Sequence, residues 1–163
     1  MLRLTAGLTI TAALAMAAPA AADERVCRGT IGAVTVDDVR VPSGATCRLS
    51  GTRVDGNVKV GSRATLRATR VTVDGDIQAE GHRLVTVTRG SRIDGNIQLE
   101  EGGSASLYDN RVEGDIQLFE NRGAQRVRRN VVGGNLQCKE NRSGPTGSGN
   151  RVEGDKEDQC ARL

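Results

Sequence analysis

The chain is nearly without aromatic residues. It has no tryptophan, one tyrosine (Tyr108) and one phenylalanine (Phe119) in 163 residues. With so few rings, the sugar-stacking platform of a polysaccharide-degrading enzyme is hard to assemble. There is also a single histidine, His82. A catalytic base needs a nucleophile and an orienting acid beside it, and nothing in the sequence selects either. His82 follows Gly81 in a turn and is expected at the surface. Four cysteines are present but no CxxC pair, and with one histidine this argues against a zinc site. Net charge is small, +3 for the whole chain. It falls to +2 if the leader containing Arg3 is removed, which argues against an electrostatic partner such as nucleic acid. No window outside the N-terminus sustains a helical period.

Residues 1–22 read as a signal peptide rather than as part of the fold. Met1-Leu2-Arg3 gives a short basic start, Leu4 to Ala18 an apolar run, and Ala20-Ala21-Ala22 a small-residue cleavage site before Asp23. The run is too short and alanine-rich for a membrane span. Glu24-Arg25-Val26 before Cys27 does not resemble an acylation site, so a soluble, secreted or envelope protein of 141 residues is expected.

What the chain has in quantity is a repeat. Gly56, Gly75, Gly95, Gly114, Gly134 and Gly154 follow one another at intervals of 19, 20, 19, 20 and 20. A fixed period of this size marks a solenoid. Val58, Ile77, Ile97, Ile116 and Leu136 lie two residues after these glycines, and Val60, Ala79, Leu99, Leu118 and Cys138 lie four after. Between them stand Lys59, Gln78, Gln98, Gln117 and Gln137. Apolar, polar, apolar is strand alternation with one buried face, and the branched aliphatics favour strands. Asp-Gly between apolar runs is also a hairpin signal. The fixed period instead favours a right-handed parallel β-helix of three short strands per coil of about twenty residues, with weaker strands over 64–68, 84–88, 104–108 and 126–128. The glycine would serve the turn by taking positive φ. Stacked glutamines form a favourable ladder.

The same period organises charge. Arg53, Arg92, Arg111 and Arg151 lie three before the glycine, and Asp55, Asp74, Asp94, Glu113 and Glu153 one before. Opposite ladders side by side relieve the repulsion within each. The position after the glycine alternates strictly: Asn57, Asp76, Asn96, Asp115, Asn135, Asp155.

Cys27 and Cys47 are 20 residues apart, and Cys138 and Cys160 are 22 apart. One coil brings equivalent Cα atoms to about 4.8 Å, within disulfide range, so these two local pairs are predicted. The N-terminal cap and a first coil, degenerate over Val36 to Val41, occupy 27–51, the coils 52–138 and a C-terminal cap 139–163. Within the cap, 141–150 reads as a flexible loop. Lys156 and Asp158 stand where full coils are apolar, which ends the hydrophobic column and predicts a monomer.

The G-N-[IVL]-Q repeats, the opening T-I-G-A-V-T-V-D-D-V-R-V-P-S-G-A-T-C and the closing G-N-L-Q-C-K-E-N with K-E-D-Q-C together resemble a family of small exported proteins common in actinobacteria. The match runs from Cys27 to Cys160 and brings no activity or catalytic residue with it. More loosely, the chain is similar to bactofilins, short valine- and isoleucine-rich β-helices that polymerise end to end. It departs from them in its leader and its terminal cysteines.

Candidate sites are few. Asp74 with Asp76, and Glu113 with Asp115, are the best calcium positions, but the adjoining arginines favour ion pairs and no cofactor is expected. Thr86 and Thr88 begin a threonine ladder of the kind ice binding needs, but it is not continued. Arg122, Arg126, Arg128 and Arg129 form a basic patch suited to solvent, acidic wall polymer or another exported protein. The function expected is a non-enzymatic structural or interaction module. The alternative is a polysaccharide lyase or hydrolase. The inside–outside assignment is checked by thermal melting. Ile97→Asp should cost about 3–5 kcal/mol by burying an unpaired charge, and Gln98→Ser less than about 1 kcal/mol.

Overall fold

The computed structural model describes residues 23–163, so the predicted signal peptide lies outside the described residues. Within them the protein is all-β, with 22 strands and no helix. The strands fall in strict rotation into three parallel sheets. Sheet A has eight strands, from Glu24–Val26 to Lys156–Asp158. Sheet B has seven, from Thr30–Ile31 to Thr146–Ser148. Sheet C has seven, from Thr35–Val36 to Arg151–Val152. Ile77 pairs with Val58 on one side and Ile97 on the other, steps of 19 and 20 residues. The structure is thus a parallel β-solenoid of seven coils plus a final strand. The strands Thr65–Thr69, Leu84–Thr88, Ser104–Tyr108 and Gln125–Arg128 lie where the weak alternation placed them.

The repeat extends further at both ends than its glycines indicate. Glu24 to Val36 builds a first coil of its own. In the next corner the Asp37 carbonyl accepts from Gly56 N–H, as Gly56 accepts from Gly75. Asp37 therefore holds the anchor position, and the residue missing from this coil is the one before it. At the other end, 141–150 is not merely a loop. Thr146–Ser148 is a strand of sheet B, and Asn141, Pro145 and Asn150 are buried. Composition suggested flexibility, but stacking on the coil below supplies the partners that glycine and serine lack.

The interior consists of aliphatic columns, one residue per coil. Val58, Ile77, Ile97, Ile116 and Leu136 form one, all fully buried. Burying each such side chain contributes about 1.5–3 kcal/mol. On sheet A the columns end where Lys156 and Asp158 stack on Leu136 and Cys138. Cys27–Cys47 and Cys138–Cys160 are bonded, with Cα separations of 5.5 and 5.3 Å. Each disulfide ties a terminal coil to its neighbour.

The anchor glycines serve a different purpose from the one expected. None of them has positive φ; among the glycines of the described residues only Gly44, Gly51, Gly81, Gly90 and Gly149 do. What they provide is space. At this corner the side-chain oxygen of Asn57 accepts the backbone N–H of Asp76 at 2.9 Å, and Asp76 accepts that of Asn96 at 2.7 Å. The ladder continues through Asp115 and Asn135 to Asp155 and begins at Asp38, which extends the alternation by one aspartate. A Cβ on Gly95 would collide with the Asp76 carboxylate and lie 2.7 Å from the Gly75 carbonyl oxygen. N–H groups reach aspartate at 2.6–2.7 Å and asparagine at 2.8–2.9 Å, the shortening that a charged acceptor brings.

Positive φ appears instead at the other two corners, mostly at non-glycine residues. Asp109, Glu120, Arg129 and Glu140 all adopt it, and each is followed by an asparagine that turns inward. Asn110, Asn130 and Asn150 stack at the corner between sheets B and C, and Asn121 and Asn141 between A and B. Asn130 donates to the Leu107 carbonyl at 2.9 Å and to Asn150 at 3.1 Å, and accepts from Asn110. These amides satisfy main-chain groups that the corner takes out of the sheets, which offsets the strain of about 1 kcal/mol or more in each left-handed residue.

Space at the anchor corner can be tested directly. Gly95→Ala should lose about 2–3 kcal/mol in urea unfolding, because backbone must move to admit the methyl. Gly144→Ala, where a Cβ meets nothing within 4 Å and φ is not positive, should stay within about 0.5 kcal/mol of the parent. Equal losses would remove the steric account.

Candidate functional surfaces

The coil has three outward faces, and their chemistry differs. Sheet A carries a glutamine ladder that bonds to itself. Gln78 donates to Gln98 at 3.2 Å, Gln117 to Gln137 at 2.9 Å, and Gln137 to Glu157 at 3.0 Å. Beside it runs an open groove of about 820 Å³, lined by cations (Arg40, Lys59) and by carboxylates (Glu80, Glu100, Glu101). The column ordered Arg40, Lys59, Gln78, Gln98, Gln117, Gln137 thus passes from cationic to neutral.

Sheet C and its corner carry the predicted ion-pair stripes. Arg92 reaches Asp94 of its own coil at 2.7 Å and Glu113 of the next at 3.0 Å. Arg53 bridges Asp55 and Asp74 in the same way, and Arg111 binds Glu113 at 2.8 Å. The hydrogen bond from Arg111 holds the Glu113 carboxyl below its ordinary value. Of the calcium candidates, Asp74 and Glu113 are thus engaged by arginine, while Asp76 and Asp115 accept backbone N–H groups.

Sheet B is unlike the other two. Its middle outward column runs Arg48, Arg67, Thr86, Ser106, Arg126 and Thr146. The column beside it runs Ser50, Thr69, Thr88, Tyr108, Arg128 and Ser148. No strand of this sheet contains aspartate or glutamate. Arg48, Arg67, Arg126 and Arg128 are exposed, and among the described residues none has an ion-pair partner. A depression of about 380 Å³ is lined by Tyr108, Arg126, Arg128, Thr146, Gly147 and Ser148.

The basic patch expected over Arg122 to Arg129 is therefore divided. Arg129 turns the corner and binds Asp109 through two bonds of 2.6 and 2.8 Å, which holds the Asp109 carboxyl low. Arg122 lies outside the sheet, following the Asn121 corner. Arg126 and Arg128 remain and are joined across the coils by Arg48 and Arg67, which the linear sequence separates from them. The signal that could have found this face is the alternation in T-C-R-L-S, T-L-R-A-T and Q-R-V-R, aligned at the coil period.

His82 is not at the surface. It is 1% exposed, because it holds the inward corner position that Asn121 and Asn141 hold two and three coils later. The next residue in that column is Gly102, where a Cβ would collide with the imidazole. Neither ring nitrogen makes a well-formed hydrogen bond. Burial lowers its pKa to about 4, against smaller opposing contributions from the backbone of Ala79 and Ser104. The imidazole is thus a neutral filler at pH 7, with no nucleophile or acid in partnership.

Two closed disulfides with no free cysteine among the described residues are the mark of an oxidising compartment. No helix of the described residues is long and apolar enough to cross a membrane. Comparison with family models, curated proteins and solved structures returns no match.

The buried imidazole predicts a pH dependence. Its folded pKa, about 4, lies below the unfolded value near 6.5, so between these values the unfolded chain binds more protons. Stability should therefore fall as pH drops from about 6.5 to 4, by up to about 3 kcal/mol. His82→Asn, the residue of the later coils, should flatten that part of the curve in melts taken across pH. An unchanged slope would show that His82 does not cause it.

Proposed function

We propose that the protein is a non-enzymatic module of the cell envelope or extracellular space that presents rigid side-chain columns to a repetitive partner, a wall polymer or another exported protein. The observation that carries this reading is register. On all three sheets, outward side chains recur at the coil spacing of about 4.8 Å, through parallel pairings that run from the first coil to the last. A surface of that kind offers the same contact many times along one axis, which suits a partner that repeats as well. The predicted leader and the two disulfides support an exported setting. Charged residues closing the sheet A columns support a monomer, since another coil stacked there would bury Lys156 and Asp158.

Purified oxidised protein should sediment with insoluble envelope material, run as a monomer in sedimentation velocity, and leave soluble polysaccharides at their original chain length. Release of new reducing ends or unsaturated sugars would establish the lyase or hydrolase alternative instead.

A further inference from the structure

Resting on that reading, we propose that sheet B is a binding face for a linear uronate polysaccharide, laid along the solenoid axis. Sheet C pairs Arg53, Arg92 and Arg111 with carboxylates of the same or the next coil. Sheet A spends its amides on one another and sets cations and carboxylates in one groove. On sheet B, Arg48, Arg67 and Arg126 form no ion pair among the described residues, and Arg128 feels only the field of Asp109, which Arg129 already binds through two bonds. Arg48 and Arg67 are direct register partners on adjacent coils, so two like-charged side chains leave backbones about 4.8 Å apart on the same face. That arrangement is repulsive within the protein and is relieved by an external anion.

The remaining outward groups narrow the anion to a glycan. The two columns contain only arginine, threonine, serine and one tyrosine, a set of hydroxyls and planar forks that matches sugar hydroxyls and carboxylates. All four cations are arginine, which binds planar carboxylates through two parallel bonds where lysine cannot. Tyr108, half-buried, is the only outward ring of this sheet, and Arg128 is its register partner in the next coil. A uronic acid, whose carboxylate is attached to the sugar ring, can stack that ring on Tyr108 while it offers charge to Arg128. Gly147, the register partner of Val127, lines the depression beside them together with Thr146 and Ser148. Arg67 and Arg126 are three coils apart, roughly 14 Å, so a chain running across the coils meets cations at both ends of the face and hydroxyls (Thr86, Ser106) between. The near-neutral total charge conceals this face: its strands carry no carboxylate, while Glu101, Glu120 and Glu140 stand at the corner with sheet A and Asp109 at the corner with sheet C.

The test is fluorescence anisotropy on the oxidised protein with labelled polygalacturonate oligomers, and with polyphosphate, neutral dextran and duplex DNA as the other arms. Polygalacturonate should bind, more weakly as salt rises, and dextran should not. R48Q/R67Q and R126Q/R128Q should each weaken binding by at least about tenfold, whereas R53Q/R111Q, on sheet C, should leave it unchanged. Y108A should weaken polygalacturonate by about threefold or more and leave polyphosphate alone. Circular dichroism melts confirm that each variant is folded. No binding to polygalacturonate, or binding indifferent to the sheet B variants, overturns the proposal. So does equal binding of DNA or polyphosphate with no effect of Y108A, which would reduce the face to charge alone. If the sheet B variants still sediment with envelope material, the module reading stands and this one fails. If polygalacturonate binds here but is shortened, the site stands and the non-enzymatic reading fails.

Discussion

A side-chain oxygen that reaches across one coil to take a backbone N–H is the interaction on which the rest of this structure depends. In-register stacking obliges every polar group on the main chain to find its partner in the coil above or below. Along the strands this is automatic. At the corners the chain turns out of the sheets, and the sequence must supply a substitute. Asp38, Asn57, Asp76 and their successors do so at one corner, and the buried asparagines do so at the other two.

The most conspicuous sequence features follow from that requirement. Glycine recurs because the accepting oxygen occupies the place where its Cβ would be. Asparagine alternates with aspartate because neighbouring carboxylates one coil apart would repel, while an amide between them can also donate, as Asn96 does to Asp76 at 3.1 Å. Acidic and basic residues sit at left-handed corner positions because their side chains remain in solvent while the next residue turns inward. In the exception, His82, an imidazole fills the corner without good hydrogen bonds, and an adjacent glycine gives it room.

A scaffold satisfied internally in this way leaves its outer faces free to differ. Sheets A and C carry charges of both signs, several of them paired along the axis, whereas the strands of sheet B carry cations alone. Rigidity matters here as much as composition. The coil fixes where each arginine leaves the backbone, so a repeating anion would have only the side chains themselves to order.

The sequence by itself determined the coil. The glycine interval, the branched aliphatics two and four residues later, the Gln column, the Arg and Asp columns and the cysteine spacings are all local patterns, and strand alternation with a fixed period converts them into a parallel solenoid tied at its ends. The inward asparagines were present too, spaced 11, 9, 11 and 9 from Asn110 to Asn150, two corners per coil. Composition argued against recognising them, since asparagine between charged residues reads as solvent-facing. Three matters were decided only by the tertiary structure. Whether the anchor glycine serves φ or space depends on the side chain one coil away. Whether His82 is inside or outside depends on Gly102 in the coil above. The sheet B face joins Arg48 and Arg67 to Arg126 and Arg128 only after stacking. Each depends on contacts about twenty to eighty residues distant in the chain but side by side across the coils, where sequence neighbours carry no information.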